Sequence, residues 1–374
     1  MKALFFYSIS ILFFITSCTT SSVVVSMQRP ADITLSQDIK SVVVANRTTP
    51  SKKNLAGNII EGLVSGEGIG TDKRGSEYCL DGLVNLLNNS DRFTPKNIGE
   101  LELKGTGTSS FSEPLKWKKV SKICKSYDAD ALIVLETFDS DSRIVFGRPI
   151  TRTVKRKGVK IKEVRHKAIL EMKIVSGWRI YDNLNKVIVD ENKFTELKEF
   201  SAWGNSRKEA ERNLPYRSIA IKQSGDFAGI QYGKRISPVW IQAKRIYYVG
   251  KEDAFKQASK SVKANEWDEA INIWKEVANL NDKEIASKAS FNMALASEIK
   301  GYLEAAIDWA KKAKALGDKK ANSYISTLNK RKQDQQKLNQ QLNNGKSGIA
   351  KGISNRYSRI NFYSTFWFKY VCNN

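Results

Sequence analysis

Apolar positions along this chain recur with two periods, first mixed and then purely helical. Ile39 to Ala45 (IKSVVVA) is β-branched and predicts a first strand. Asn46 to Lys73, rich in Gly, Thr, Lys and Asn, reads mostly as loop. Ser76 to Asn88 places Tyr78, Cys79, Leu80, Leu83, Val84, Leu86 and Leu87 at helical spacing, with Ser76 as the cap. Asp91 to Pro95 predicts a short strand, and Lys116 to Tyr127 a second helix with Trp117, Val120, Ile123, Cys124 and Tyr127 on one face. Ala131 to Phe138 (ALIVLETF) is a continuous apolar run, as in an inner strand. Lys167 to Tyr181 and Lys186 to Leu197 alternate around Asp182-Asn183-Leu184-Asn185, where Asp and Asn supply turn chemistry. Ser206 to Ile221 predicts a third helix running on to Tyr232, broken by Arg235-Ile236-Ser237-Pro238. Val239 to Tyr248 is an extended or helical connector. This order predicts an α+β domain over residues 29–248, a mixed α/β sheet with helices packed on it.

From residue 251 to 342 the pattern repeats itself. Phe255 aligns with Phe291, Ala258 with Ala294, Trp267 with Leu303, Ala270 with Ala306 and Trp274 with Ala310, each 36 positions on. The turns Ala264-Asn265-Glu266 and Lys300-Gly301-Tyr302 divide the two pairs. Small residues stand where helices must approach and large ones where they interlock, so Phe255, Ala258, Trp267, Ala270, Trp274, Phe291, Ala294, Leu303 and Ala306 are the expected packing positions. The unit resembles the tetratricopeptide repeat, whose period is about 34 residues. That resemblance implies an all-α domain with a concave face for a protein partner. Trp267, Trp274 and Trp309 are candidates for that face, although core packing accounts better for the first two. Asp318 to Leu342 supplies a capping helix, with Tyr324 and Leu328 among its apolar residues. Residues 343–374 crowd Phe362, Tyr363, Phe366, Trp367, Phe368 and Tyr370 together without helical spacing and read as a disordered or atypical tail.

The amino terminus carries its own signal. Lys2 is followed by an apolar run from Ala3 to Ile15 and by Ile15-Thr16-Ser17-Cys18. The run is shorter than the roughly 20 residues of a membrane span. Its apolar-x-small-Cys ending resembles a bacterial lipobox. The resemblance implies that residues 1–17 are a lipoprotein signal peptide, removed on export, and that Cys18 carries acyl chains anchoring the protein to a membrane. Each buried methylene contributes about 0.8 kcal/mol, and more than one chain makes the anchor stable. Residues 18–28 are polar, then β-branched, and read as a lipidated tether. Thr19, Thr20, Ser21 and Ser22 contain no acidic run, and known sorting patterns then imply outer-membrane anchoring facing the periplasm.

Charge changes the picture most at one place. The 374 residues carry a formal net charge of +23, which favours acidic partners: anionic headgroups, acidic proteins or polyanionic glycans. Nucleic acid ranks last as a partner, because an exported chain rarely meets it; an AT-rich genome also inflates Lys. Arg148, Arg152, Lys155, Arg156, Lys157, Lys160, Lys162, Arg165 and Lys167 fall together, with Glu163 as the one acid among them. As a loop or hairpin near a membrane they would bind anionic headgroups, at about 1 kcal/mol per charge. A solvated loop is the alternative.

Catalytic chemistry finds little support. Cys79, Cys124 and Cys372 stand alone, without a zinc pattern. Cys79 and Cys124 are either two separate buried thiols or a disulfide. His166 is the single histidine and sits between Arg165 and Lys167. Gly66-Glu67-Gly68-Ile69-Gly70 lacks dinucleotide-turn spacing, and Asp139-Ser140-Asp141-Ser142-Arg143 departs from a calcium loop at its fifth position. No cofactor, metal site or catalytic residue is expected.

Arg29-Pro30-Ala31, Tyr232-Gly233-Lys234-Arg235-Ile236-Ser237-Pro238-Val239-Trp240 with Arg245 and Tyr247-Tyr248, and Phe291-Asn292-Met293-Ala294 resemble an uncharacterised family of Bacteroidetes envelope lipoproteins. In that family a domain of unknown function precedes tetratricopeptide-like helices, and the likeness covers roughly residues 23 to 320. The element order of the first domain also resembles curli-secretion lipoproteins, penicillin-binding-protein activators and the amino-terminal part of TolB, which bears on fold and not on function. The expected role is a non-enzymatic adaptor or assembly factor binding protein partners through the helical repeats. An oligomeric structural or secretion-related component of the outer membrane is the alternative, and an enzyme with an unrecognised site the third.

Overall fold

The computed structural model describes residues 20–50, 71–90, 92–107 and 109–342. Cys18, Gly66 to Gly70, Cys372 and the tail from residue 343 lie outside the described residues. The chain divides into two compact units, Pro30–Val239 with Leu338–Asn374, and Met1–Arg29 with Trp240–Lys337.

The first unit is built on six strands: β2 (Ser41–Asn46), β3 (Thr94–Glu102), β4 (Ala131–Phe146), β5 (Ile150–Arg156), β6 (Val159–Asp182) and β7 (Val187–Gly204). Their order is β3-β2-β4-β6-β5, with β7 also paired to β6. β2 runs parallel to β3 on one side and to β4 on the other, while β4, β6 and β7 are antiparallel. Helix α1 (Thr71–Asn88) connects β2 to β3, and α2 (Trp117–Ser126) connects β3 to β4. These two crossovers travel in opposite directions along the sheet, so a right-handed path puts their helices on opposite faces. The strand residues alternate to match. Val42, Val44, Ile133 and Leu135 pack with Cys79 and Leu83 of α1, whereas Val43, Ala45, Leu132 and Val134 pack with Val120, Ile123 and Cys124 of α2. Cys79 and Cys124 are therefore two separate buried thiols, and the disulfide alternative falls away.

Two helices follow β7, α3 (Arg207–Arg212) and α4 (Arg217–Ile236). The single helix expected from Ser206 to Tyr232 is divided because Pro215 lies between them and has no N–H to continue the ladder. Ser206 caps α3 by accepting from the Glu209 N–H. α1 also starts earlier than expected, at Thr71. Ser76, expected as its cap, is buried within it and instead donates to the Lys73 carbonyl while accepting from the Asn46 amide. α1 and α4 approach backbone to backbone. A Cβ at Gly229 would lie 1.8 Å from the Cys79 carbonyl oxygen, and one at Gly82 would lie 2.1 Å from that of Asp226. Tyr232 of α4 then stacks on Trp178 of β6, with ring centroids 4.4 Å apart.

The second unit begins with a strand. Residues 18–28 were expected as a tether, yet Thr20–Arg29 forms a strand, β1, paired with β8 (Val239–Tyr248). The cause is alternation: Val24 points outward at 62% exposure, while Val25 is buried with Val23 and Met27 packed beside it. They share one core with Tyr247, Tyr248, Phe255 and Trp274, so the strand belongs with the helices. The second compact unit thus takes in the chain from Trp240.

Five helices follow: α5 (Asp253–Lys263), α6 (Trp267–Val277), α7 (Lys283–Ile299), α8 (Leu303–Ala315) and α9 (Ala321–Leu342). The structure buries Phe255, Ala258, Ala270, Trp274, Phe291, Ala294, Leu303 and Ala306, with Trp267 partly buried beside them. The turns repeat as well. Asn265 and Gly301 both take positive φ, 63° and 84°. Glu266 donates to the Ser261 carbonyl at 2.8 Å, and Tyr302 to the Ser297 carbonyl at 2.9 Å. Each turn therefore closes its helix in the same way.

Candidate functional site

The basic stretch folds into the hairpin of β5 and the first part of β6. Arg156 pairs with Val159, leaving Lys157 and Gly158 as the two turn residues, with φ of 47° and 81°. Positive φ at both is the pattern of a type I′ turn, whose twist matches a right-twisted hairpin. Antiparallel pairing fixes which side chains share a face.

One face carries Arg152, Arg156 and Arg165, with Val154 and Ile161 between them and Ile150 and Val159 exposed beside them. Glu163 answers two of these charges, at 2.7 Å from Arg156 and 3.7 Å from Arg152. The Arg165 guanidinium donates to the Asn205 side-chain Oδ1 at 3.4 Å. Lys167, further along the same side, is half-buried in register with Trp203.

The opposite face carries Lys155, Lys160 and Lys162, all exposed, with Thr151, Thr153 and Val164. Lys155 stands directly across from Lys160. Among the described residues these lysines and Lys157 make no ion pair. The same side of β4 holds Phe146, in register with Ala168, and Ile144, in register with Leu170. Phe146 is 39% exposed and Ile144 43%, and the Arg207 guanidinium lies 5.6 Å above the Phe146 ring. Arg148 is exposed just before β5. The structure thus splits the cations expected as one patch: Arg152, Arg156, Arg165 and Lys167 share a side with an acid, Lys155, Lys160 and Lys162 share a face without one, and Arg148 and Lys157 lie at the two ends of β5.

Such a surface attracts phosphates or carboxylates by charge. His166 lies in register with Gly204 at the base of the hairpin. Among the described residues no group of three His, Cys, Asp or Glu is placed to hold a metal ion.

Glu136 and Glu298 are buried acids that no sequence motif marks. Glu136 is fully buried between Arg179 at 2.9 Å and Arg47 at 3.1 Å. Burial pushes its carboxyl above the ordinary range, against the pull of both guanidiniums. Those arginines also hold the carbonyls of Ser112 and Glu113, so the acid pins the segment before α2 onto the sheet. Its only sequence signal is an acid inside the apolar run ALIVLETF. Glu298 of α7 is likewise buried, hydrogen-bonded to Arg245 at 3.0 Å and to the Tyr324 hydroxyl at 2.6 Å, with the Arg331 guanidinium within ion-pair distance. Burial alone would raise this carboxyl, but hydrogen bonds from Arg245 and Tyr324 outweigh it and hold the group below its ordinary value. Both acids are saturated by their partners and tie elements together.

Fold and hairpin define a mixed-sheet domain with a cationic β-arm, followed by a helical domain. The chain belongs to the family of the domain of unknown function DUF8603, which matches residues 39–248, more than half of its length. Residues 256–343 match a second domain of unknown function, DUF6340. A comparison with curated proteins found no match. Among solved structures, the chain is similar to one described as a homologue of the neuraminyllactose-binding hemagglutinin from Helicobacter pylori. Identity is 9%, the TM-score 0.20, and the match covers 55% of this chain and 91% of that one. Among the described residues no helix is long and apolar enough to cross a membrane.

Proposed function

We propose that this chain is a non-enzymatic envelope lipoprotein of the Bacteroidetes type, held at the outer membrane through Cys18 and facing the periplasm. Its helical unit serves as a tetratricopeptide-like module for a protein partner, and its basic hairpin meets an anionic partner. The observation that carries the adaptor reading is the recurrence of turn geometry at Asn265 and Gly301 together with the recurrent buried positions. Stacked helix pairs of this kind present extended surfaces to other chains. Affinity purification of the full chain from its native envelope should recover a defined protein partner. Recovery should fall when exposed Leu280 and Tyr302, at the ends of α6 and α8, are changed to Ser. Unchanged recovery would remove the helical unit as the binding module. In the same cells Cys18→Ala should release the protein from membranes, and retention through a high-salt wash would count against the anchor.

A second reading, an oligomeric envelope component, is favoured by one observation. β7 spans 18 residues and, among the described residues, pairs only with β6, which leaves a long edge available for strand addition. Sedimentation in detergent separates the two readings, since only the oligomer gives a species several times the chain mass.

A further inference from the structure

We infer that the lysine face of the β5–β6 hairpin is a docking surface for an anionic lipid bilayer, with lysines on lipid phosphates and Val164, Phe146 and Ile144 at headgroup depth. This rests on the reading of the hairpin as an anionic contact and commits it to one face and one partner. The charge is divided unevenly. Glu163 answers the arginines, whereas Lys155, Lys160 and Lys162 stand on a face with no acid.

The tip also carries two local costs. Like charges directly opposite each other destabilise an antiparallel pair, and Lys155 faces Lys160. A lysine at positive φ occupies a turn position where Asn, Asp or Gly is favoured, and Lys157 takes φ 47°. Both choices concentrate cations at the tip, and a bound anionic surface offsets the first. Discouraging a sheet edge from pairing would need only scattered lysines.

The partner's chemistry follows from what lies beside the charge. Val164 is 48% exposed on the lysine face, and Phe146 and Ile144 continue that side on β4. Carboxylates alone would satisfy only the lysines. A bilayer satisfies both sets, because phosphates overlie the acyl boundary where apolar side chains settle.

The test uses the chain from Thr19 onward, which keeps every described residue, titrated with phosphatidylcholine vesicles with and without a third of phosphatidylglycerol. Binding should require the anionic lipid. Changing Lys155, Lys160 and Lys162 together to Gln should weaken it about a hundredfold. Arg152→Gln with Arg156→Gln should weaken it less than tenfold, since Glu163 already answers those charges. Val164→Ser, with charge unchanged, should weaken it about fivefold. Melting temperatures should stay level across these exposed positions. Equal loss per charge from the lysine and arginine sets would overturn the face assignment while leaving the anionic contact. An unaltered Val164→Ser variant, with polyglutamate competing as well as lipid, would overturn the bilayer in favour of an acidic protein. Binding unaffected by any variant would overturn the inference and the anionic contact together.

Discussion

Gly229 shows how one absent methyl group sets a helix distance. With 1.8 Å between its notional Cβ and the Cys79 carbonyl, any side chain there must drive α4 from α1. Gly229→Ala should cost about 1–3 kcal/mol, the usual penalty of overpacking, and lower the melting temperature by several degrees. A silent Gly229→Ala would mean that the helices part freely. Nothing in the sequence announces this contact, because a glycine adds no hydropathy to a helical pattern. Cys79 itself gives a pH signature. Burial, with a smaller push from Asp226, raises its thiol far above the ordinary value of 9.0. Burial also raises Cys124 to about 11, against the pull of Lys186. Both folded values exceed the unfolded one, so their contribution is complete below pH 9.0 and is lost as pH rises through the folded values. Melting curves should fall steadily above that point, and Cys79→Ala should make the decline shallower. An identical slope in the variant would assign the alkaline loss to other groups.

At the scale of elements, legibility followed local periodicity. Val42 to Ala45 and Ala131 to Leu135 announced inner strands because both faces of the sheet bury their residues. The hairpin at Lys157-Gly158 gave no comparable signal, since Lys-Gly lacks the Asn or Asp that marks a two-residue turn. Its face-by-face division of charge became visible only with register. The helices from 253 to 342 were legible because side-chain volume recurs at helical spacing, from Ala270 to Ala306 and from Phe255 to Phe291. Ala306 is fully buried whereas Lys311 is exposed on the same helix. Ala306→Trp should therefore destabilise the chain by about 1–3 kcal/mol, while Lys311→Trp should leave its melting temperature within a degree or two. Equal melting of the two variants would put Ala306 on the solvent side and break the register of α8 against α7.

For the whole molecule, the largest surprise is the assignment of β1 to the helical unit. Thr20 to Ser22 read as linker because the tract is small, polar and uncharged, and its partner strand lies far along the chain. Long-range pairing leaves no local mark. Removing residues 20–29 should strip Val25 from the core and uncover Tyr247 and Tyr248. Burial of a valine alone contributes about 1.5–3 kcal/mol, so the melting temperature should drop by several degrees or the helical unit should lose its sharp transition. A plain tether would be removed without consequence.

The same strand determines how the molecule bears force. With Cys18 as the fixed point of the proposed anchor, Thr19 alone separates it from β1, a reach of about 3.5 Å. An anchor there would leave the body little chain to swing on. A pull on such an anchor would enter the body at β1 and pass to β8, its partner in the two-stranded sheet. Membrane attachment would then grip the helical unit through its own core, and tension at the membrane would be felt first by Val25 and the tyrosines it packs against.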